Sequence, residues 1–152
     1  MIEGKPVTNW HVDRLAATLR HEDRMEAAAM GWQDIPEAIR ASIARAQRSE
    51  TLTFRDDDEP LAIWGLRRIE WFDDTALIWM LSATGAWTPR TALAGVRRAS
   101  LIFATLPDHI EAVETYVFAP AESTKRLLRF FGYRPTGKSP LGAEVWRTQW
   151  EW

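Results

Sequence analysis

Four consecutive acids, Asp56, Asp57, Asp58 and Glu59, carry the oxygen ligands that a hard divalent cation takes. They lack the glycine and the distal glutamate of a calcium loop, so the run reads as a solvated hairpin turn. His11, His21 and His109 stand far apart, with no pair spaced to bring two imidazoles onto one helix face, and no metal site is expected. Ser82, Ser100, Ser123 and Ser139 lie outside any nucleophile-elbow motif. The absence of cysteine excludes disulfides, thiolate metal sites and cysteine nucleophiles. What remains is cationic. Residues 1–80 carry 10 Lys or Arg against 15 Asp or Glu, whereas residues 81–138 carry 8 against 4, which makes the second stretch basic. Arg97, Arg98, Lys125, Arg126 and Arg129 can form an anion or nucleic-acid surface, although solvated helix faces explain them as well and no base-reading motif accompanies them.

Those cations must be held by helices, and the stretch from Glu111 to Tyr133 shows how. In E-A-V-E-T-Y-V-F the side chains alternate between two faces, and the far half is apolar on both, as in a buried strand. Ala119 and Pro120 stop it. A helix should follow, because Thr124, Leu127, Leu128 and Phe131 fall at i, i+3, i+4 and i+7 with Lys125, Arg126 and Arg129 largely outside. Gly132 suits its left-handed end, and Tyr133 starts another strand.

Earlier in the chain, Trp10 to Leu19 reads as a helix capped by Thr8 or Asn9, Glu22 to Met30 as a second ended by Gly31, and Ile35 to Arg48 as a third opened by Pro36. The period then changes. Thr51 to Phe54, Leu61 to Trp71 (interrupted at Gly65) and Thr75 to Leu81 read as three sequential strands of a meander. Thr88-Pro89 opens a long helix to about Ala104, so the strands at 75 and 118 should be parallel neighbours joined by a right-handed crossover.

Nine tryptophans are many for 152 residues. Trp146, Trp150 and Trp152 share one face of a terminal strand, and core packing is the plain reading, an interface the other. The length, the 46% apolar content and the lack of repeats or linkers suit a single domain, with a helical part over 8–48 and a sheet with crossover helices over 51–152. No apolar run approaches the roughly 20 residues that span a bilayer, so a soluble protein without membrane contact is expected.

This order of elements, with P-L-A-I-W-G, A-L-I-W-M-L, V-E-T-Y-V-F and K-R-L-L-R-F-F-G-Y, resembles the GNAT acetyltransferase fold. More narrowly it is similar to the GNAT-like proteins of short-tailed bacteriophages, including the internal virion protein A family. The resemblance implies an α/β fold: a mixed, mainly antiparallel sheet with a central parallel strand pair, flanked by helices.

It also implies where acetyl-CoA would bind. Active members carry a Q/R-x-x-G-x-G/A loop whose amides and helix N-terminus hold the pyrophosphate. The matching stretch, L-S-A-T-G-A-W-T-P-R, keeps one glycine, so the implied cofactor site is reduced to Ser82, Thr84, Gly85, Thr88 and Arg90. Leu128 stands where many members place the tyrosine that protonates the departing thiolate, and an alkyl group transfers no proton. The strand Ala76 to Leu81 lacks the carboxylate often used as base, and Ala119-Pro120 replaces a common asparagine. The expectation is therefore a noncatalytic GNAT-like phage protein, with no catalytic residue and no cofactor. It would act in virion assembly or as a minor virion component, in the virion or the cytoplasm of the infected host. Other virion proteins, or a second copy in a homo-oligomer, are its expected partners. The alternative is an N-acetyltransferase that uses acetyl-CoA through the atypical loop.

Overall fold

A computed structural model of the protein describes residues 1–67 and 70–149. The chain opens on a strand that its sequence does not announce, β1 (Ile2–Lys5). Helices α1 (Asn9–Thr18), α2 (His21–Ala29) and α3 (Ile35–Arg45) follow. Thr8 caps α1 through the His11 amide, and the His11 ring completes the capping box, its Nδ1 accepting from the Thr8 N–H at 3.1 Å. That bond fixes the tautomer of the neutral ring, leaving the proton on Nε2. Nε2 in turn lies 2.9 Å from Asp58 Oδ1. His11 is thus a buried capping residue. The acidic turn is solvent-exposed, as expected, yet it is moored by His11 to Asp58 and by Arg14 to Glu59.

α3 begins behind Asp34, which caps the Glu37 amide, and ends at Arg45, short of the expected Arg48. The last predicted turn is instead the start of β2 (Ala46–Phe54), which pairs antiparallel with β3 (Ala62–Arg67) from Ala46↔Arg67 onward. Ladder bonds along a whole strand outweigh one turn of helix propensity. β3 runs through Gly65 without interruption. Gly65 pairs with Ser49 and Trp79, and its missing Cβ leaves the space that the Trp79 ring occupies. β4 (Thr75–Ser82) completes the meander.

Then come α4 (Pro89–Phe103), β5 (Ala112–Val117), α5 (Glu122–Phe130), β6 (Arg134–Lys138) and β7 (Glu144–Gln149). α4 starts at Pro89 behind its Thr88 cap, and Gly132 (φ 89°) closes α5 in the left-handed region, both as the spacing predicts. Pro120 lies outside α5, ahead of the Ala121 cap. The seven strands form one sheet in the order β1-β2-β3-β4-β5-β7-β6, antiparallel except for the central pair β4–β5. The expected α/β architecture is the one observed.

Each face of the sheet has its own core. Val12, Leu15, Ile39, Ile63 and Leu81 pack beneath α1 and α3, while Trp64, Leu66, Ile102, Val113 and Trp146 pack beneath α4 and α5. Ile63 and Trp64 are chain neighbours that serve opposite cores, as a pleated strand requires. The tryptophans divide too: Trp64 and Trp146 are core, Trp10 and Trp71 are exposed, and Trp150 and Trp152 lie outside the described residues.

Candidate functional site

The site forms where β4 and β5 part company. They pair only over Thr75↔Ala112, Ala76↔Val113 and Leu77↔Glu114. Beyond that, β4 follows β3 to Ser82 while β5 follows β7 to Val117, so a wedge opens between two parallel strands in the middle of the sheet. Both Ser82 backbone groups bond away from β3: its N–H donates to Asp23 and its C=O accepts from the Arg20 N–H. By alternation, the N–H and C=O of Met80 also face the wedge. The wedge therefore offers backbone polarity between apolar walls.

It opens unequally to the two faces. On the α2 side lies a groove of about 350 Å³, walled by β4, β5 and α2, within the range of ordinary ligand sites. On the α4 side the cavity is only about 90 Å³, and the Trp87 ring is among the large side chains that line it. Trp87 donates from Nε1 to Ser82 Oγ at 2.7 Å and meets Phe131 edge-on at 5.6 Å. Gly95 makes the seat: a Cβ there would come within 2.9 Å of the Trp87 ring and 3.0 Å of Phe131.

α2 laces the groove mouth with two carboxylates one turn apart. Asp23 is buried, accepting from Ser82 N–H at 2.8 Å and from Arg20 Nε at 3.0 Å. Glu26 accepts from the Phe118 N–H at 2.6 Å and the Ala119 N–H at 2.7 Å. So one acid holds the end of β4 and the other the end of β5. Glu22 and Arg20 add bonds to Ser123 and Thr124 of α5. Burial pushes both acids above the usual carboxylate range, against their hydrogen bonds. Arg20 neutralises Asp23, whereas Glu26 has no cationic partner among the described residues.

The five loop residues singled out from sequence are near one another but mostly occupied. Ser82 is buried and bonded to Trp87 and Asp23. Thr84 spends both its amide and its hydroxyl on the Thr18 carbonyl. Thr88 and Thr91 satisfy each other's amides, and Ala86 N–H bonds to Ala83. Pro89 has no donor at all. What is left for an anion among the described groups is Gly85 (φ 72°, open above its Cα), the Trp87 and Arg90 amides and the exposed Arg90 side chain. Asp23, Glu26 and Trp87 escaped the sequence reading. The two acids sit at i, i+3 in a polar helix that looks solvated, and nothing in the chain order points them at the strands. Leu128 borders both cavities, and Tyr116 adds a phenol to the larger one. Tyr133 lies deep, its hydroxyl pushed well up by burial. Among the described residues, no cluster of His, Asp or Glu is arranged to hold a metal ion.

No family model matches the chain, and no curated protein matches it. Solved structures do. The aminoglycoside acetyltransferase AAC(6')-Ib, in complex with ribostamycin and coenzyme A, superposes with a TM-score of 0.67 at 13% identity, over 97% of this chain and 93% of that one. An acetyltransferase from Agrobacterium tumefaciens gives 0.69 at 14%, over 98% and 91%. The PaiA N-acetyltransferase from Thermoplasma acidophilum, in complex with coenzyme A, gives 0.63 at 12%, over 99% and 99%. With the split parallel pair and the flanking helices, these likenesses establish that the chain has the GNAT acetyltransferase fold.

Proposed function

We propose that the protein is an N-acetyltransferase that takes acetyl-CoA into the wedge between β4 and β5 and an amine into the groove beneath α2. The observation that carries the reading is the wedge itself: two parallel strands that separate after Leu77 and Glu114 into a groove of about 350 Å³, bordered by an acid that has no counter-cation among the described residues.

Acetyl-CoA would supply an activated acetyl thioester. The residues fit its acyl end: the Met80 N–H faces the wedge, placed to receive a carbonyl oxygen. Glu26, its proton affinity raised by burial, is placed to take a proton from the amine. Tyr116 offers a hydroxyl on the same groove. The pyrophosphate end has fewer donors, Gly85, Arg90 and the Trp87 amide, because the Thr84, Ala86, Thr88 and Thr91 amides are used internally and Pro89 has none. Admission from the α4 side requires Trp87 to leave Ser82. Weak acetyl-CoA binding is the consequence, with an affinity well short of what a full glycine-rich cradle supports.

A second reading is a noncatalytic GNAT-like protein, as the sequence resemblance to phage proteins suggests, working in virion assembly. Trp87 in the wedge, Pro89 in the loop and Leu128 in place of a tyrosine favour it. Acetyl-CoA titration by calorimetry and thermal shift separates the two. Saturable heat and a rise in Tm support the enzyme; no heat and no stabilisation at millimolar ligand reject it. Purified virions that lack the protein, with normal assembly after gene deletion, would reject the second reading.

A further inference from the structure

The sheet has two edges, β1 and β6, and β6 is the more heavily defended. It carries Pro135, a register shift between Pro135 and Gly137, and the cations Arg134 and Lys138, devices that keep another strand from adding. β1 has no proline and no register shift, and its Lys5 is shared among Glu3 at 3.6 Å, Asp58 at 3.8 Å and the Asp57 carbonyl. The bond from Arg55 N–H to Met1 C=O sets the parity of the β1–β2 ladder. The N–H and C=O groups of Ile2 and Gly4 therefore point away from β2 and meet no backbone partner among the described residues.

Beside that edge α4 turns an apolar and basic flank outward. Leu93, Arg97 and Leu101 follow one another at one-turn spacing, and Leu93 and Leu101 are 47% and 63% exposed. With Met1, Phe54 and Arg90 they line a furrow of about 420 Å³. Arg98, deeper in the furrow, is taken by Glu50 at 2.5 Å. Arg90, Arg97 and the nearby Arg55 have no carboxylate partner among the described residues.

We propose that this furrow is a docking site for an extended acidic segment of another polypeptide, which adds to β1 as an eighth strand. The unpaired ladder groups of Ile2 and Gly4 call for an extended backbone. The exposed Arg90 and Arg97, which have no carboxylate partner among the described residues, call for carboxylates, and the exposed leucines for a large apolar side chain. Same-face residues of a strand lie about 6.6 Å apart, so an acid and an apolar residue two positions apart reach Arg97 and Leu101 together. A second copy of this chain fits less well, since an isologous contact would bring the same arginines to both sides.

The test is fluorescence anisotropy of a labelled, end-capped decapeptide in which Thr alternates with Glu and Leu in turn, titrated with the full chain. Saturable binding is expected, weakened at least tenfold by Arg97→Glu, by Leu101→Asp, by Lys in place of Glu in the peptide, and by N-methylation of alternate peptide amides. Both substituted residues are exposed, so an unchanged Tm verifies that the variants fold. Absence of saturable binding at millimolar protein overturns the proposal, as does binding indifferent to charge reversal and N-methylation. Light scattering that shows a dimer dissociating on Arg97→Glu also overturns it, by assigning the furrow to a second copy.

Discussion

Trp87 donates its indole N–H to Ser82 Oγ at 2.7 Å, and this bond ties the loop after β4 into the wedge that the fold opens. The ring lines the small cavity of the α4 side, about 90 Å³ against about 350 Å³ on the α2 side. Under the proposed activity, this side chain is the one that a thioester entering from the α4 side would meet.

Replacing it tests that directly. Trp87→Ala should cost about 2–3 kcal/mol of stability, less than for a fully buried tryptophan, because the ring is half-buried. It should also raise acetyl-CoA affinity at least tenfold. Chemical denaturation reads the first effect and calorimetry the second; a lower stability with unchanged affinity would show that the ring is core and no barrier.

Gly95→Ala probes the same seat from the helix. Its Cβ would press on Trp87 at 2.9 Å and Phe131 at 3.0 Å, and overpacking of this kind costs about 1–3 kcal/mol. The indole should be displaced from Ser82, visible as a shift of tryptophan fluorescence toward a wetter environment.

Glu26→Gln separates positioning from proton transfer. One Gln oxygen cannot replace two carboxylate oxygens on the Phe118 and Ala119 amides, so a loss of about 1–3 kcal/mol is expected. The pH dependence has a definite sign. Burial raises Glu26 and Asp23 above their ordinary values of 4.5 and 3.8. In the window between the ordinary and the raised values the folded state binds more protons, and the contribution of these acids to stability falls as pH rises. Under the proposed activity the rate should rise with pH through the raised Glu26 value, and Glu26→Gln should remove that limb and lower kcat about 100-fold while sparing acetyl-CoA binding.

Leu128→Tyr restores a proton donor at the border of the two cavities. If the wedge is catalytic, kcat should increase at least tenfold; an inactive variant that still binds acetyl-CoA would shift the weight to the noncatalytic reading.

His11→Ala removes a buried ring, a helix cap and the mooring of the acidic turn, for an expected loss of about 2–4 kcal/mol. Its partner Asp58 is held below the usual carboxylate range, chiefly by the His11 hydrogen bond. Its contribution is therefore complete above the ordinary carboxylate value and lost as pH falls through the lowered one. Acid titration of wild type against Asp58→Asn should show that difference.

Most of the frame was legible in the sequence. Thr88-Pro89 marked the start of α4, Gly132 the end of α5, and the alternation before Phe118 the strand β5, because caps, left-handed glycines and two-faced strands are local features. The boundary between α3 and β2 was not, since the Ala46↔Arg67 pairing that ends the helix comes from 21 positions away. β1 was missed for a like reason: four residues at an edge carry little pattern, and they become a strand only against β2.

The site divides along the same line. The sequence by itself determined what the loop after β4 lacks, a glycine-rich cradle, and what stands at position 128, because residue identity and short spacing settle both. Only the tertiary structure decided that Ser82 and Thr84 are consumed internally, that Trp87 packs against Phe131, and that Asp23 and Glu26 grip the two diverging strands. These contacts join elements separated by up to 93 positions. No local rule carries such a relation, which exists only once both cores have packed and the sheet has set α2 across the split between β4 and β5.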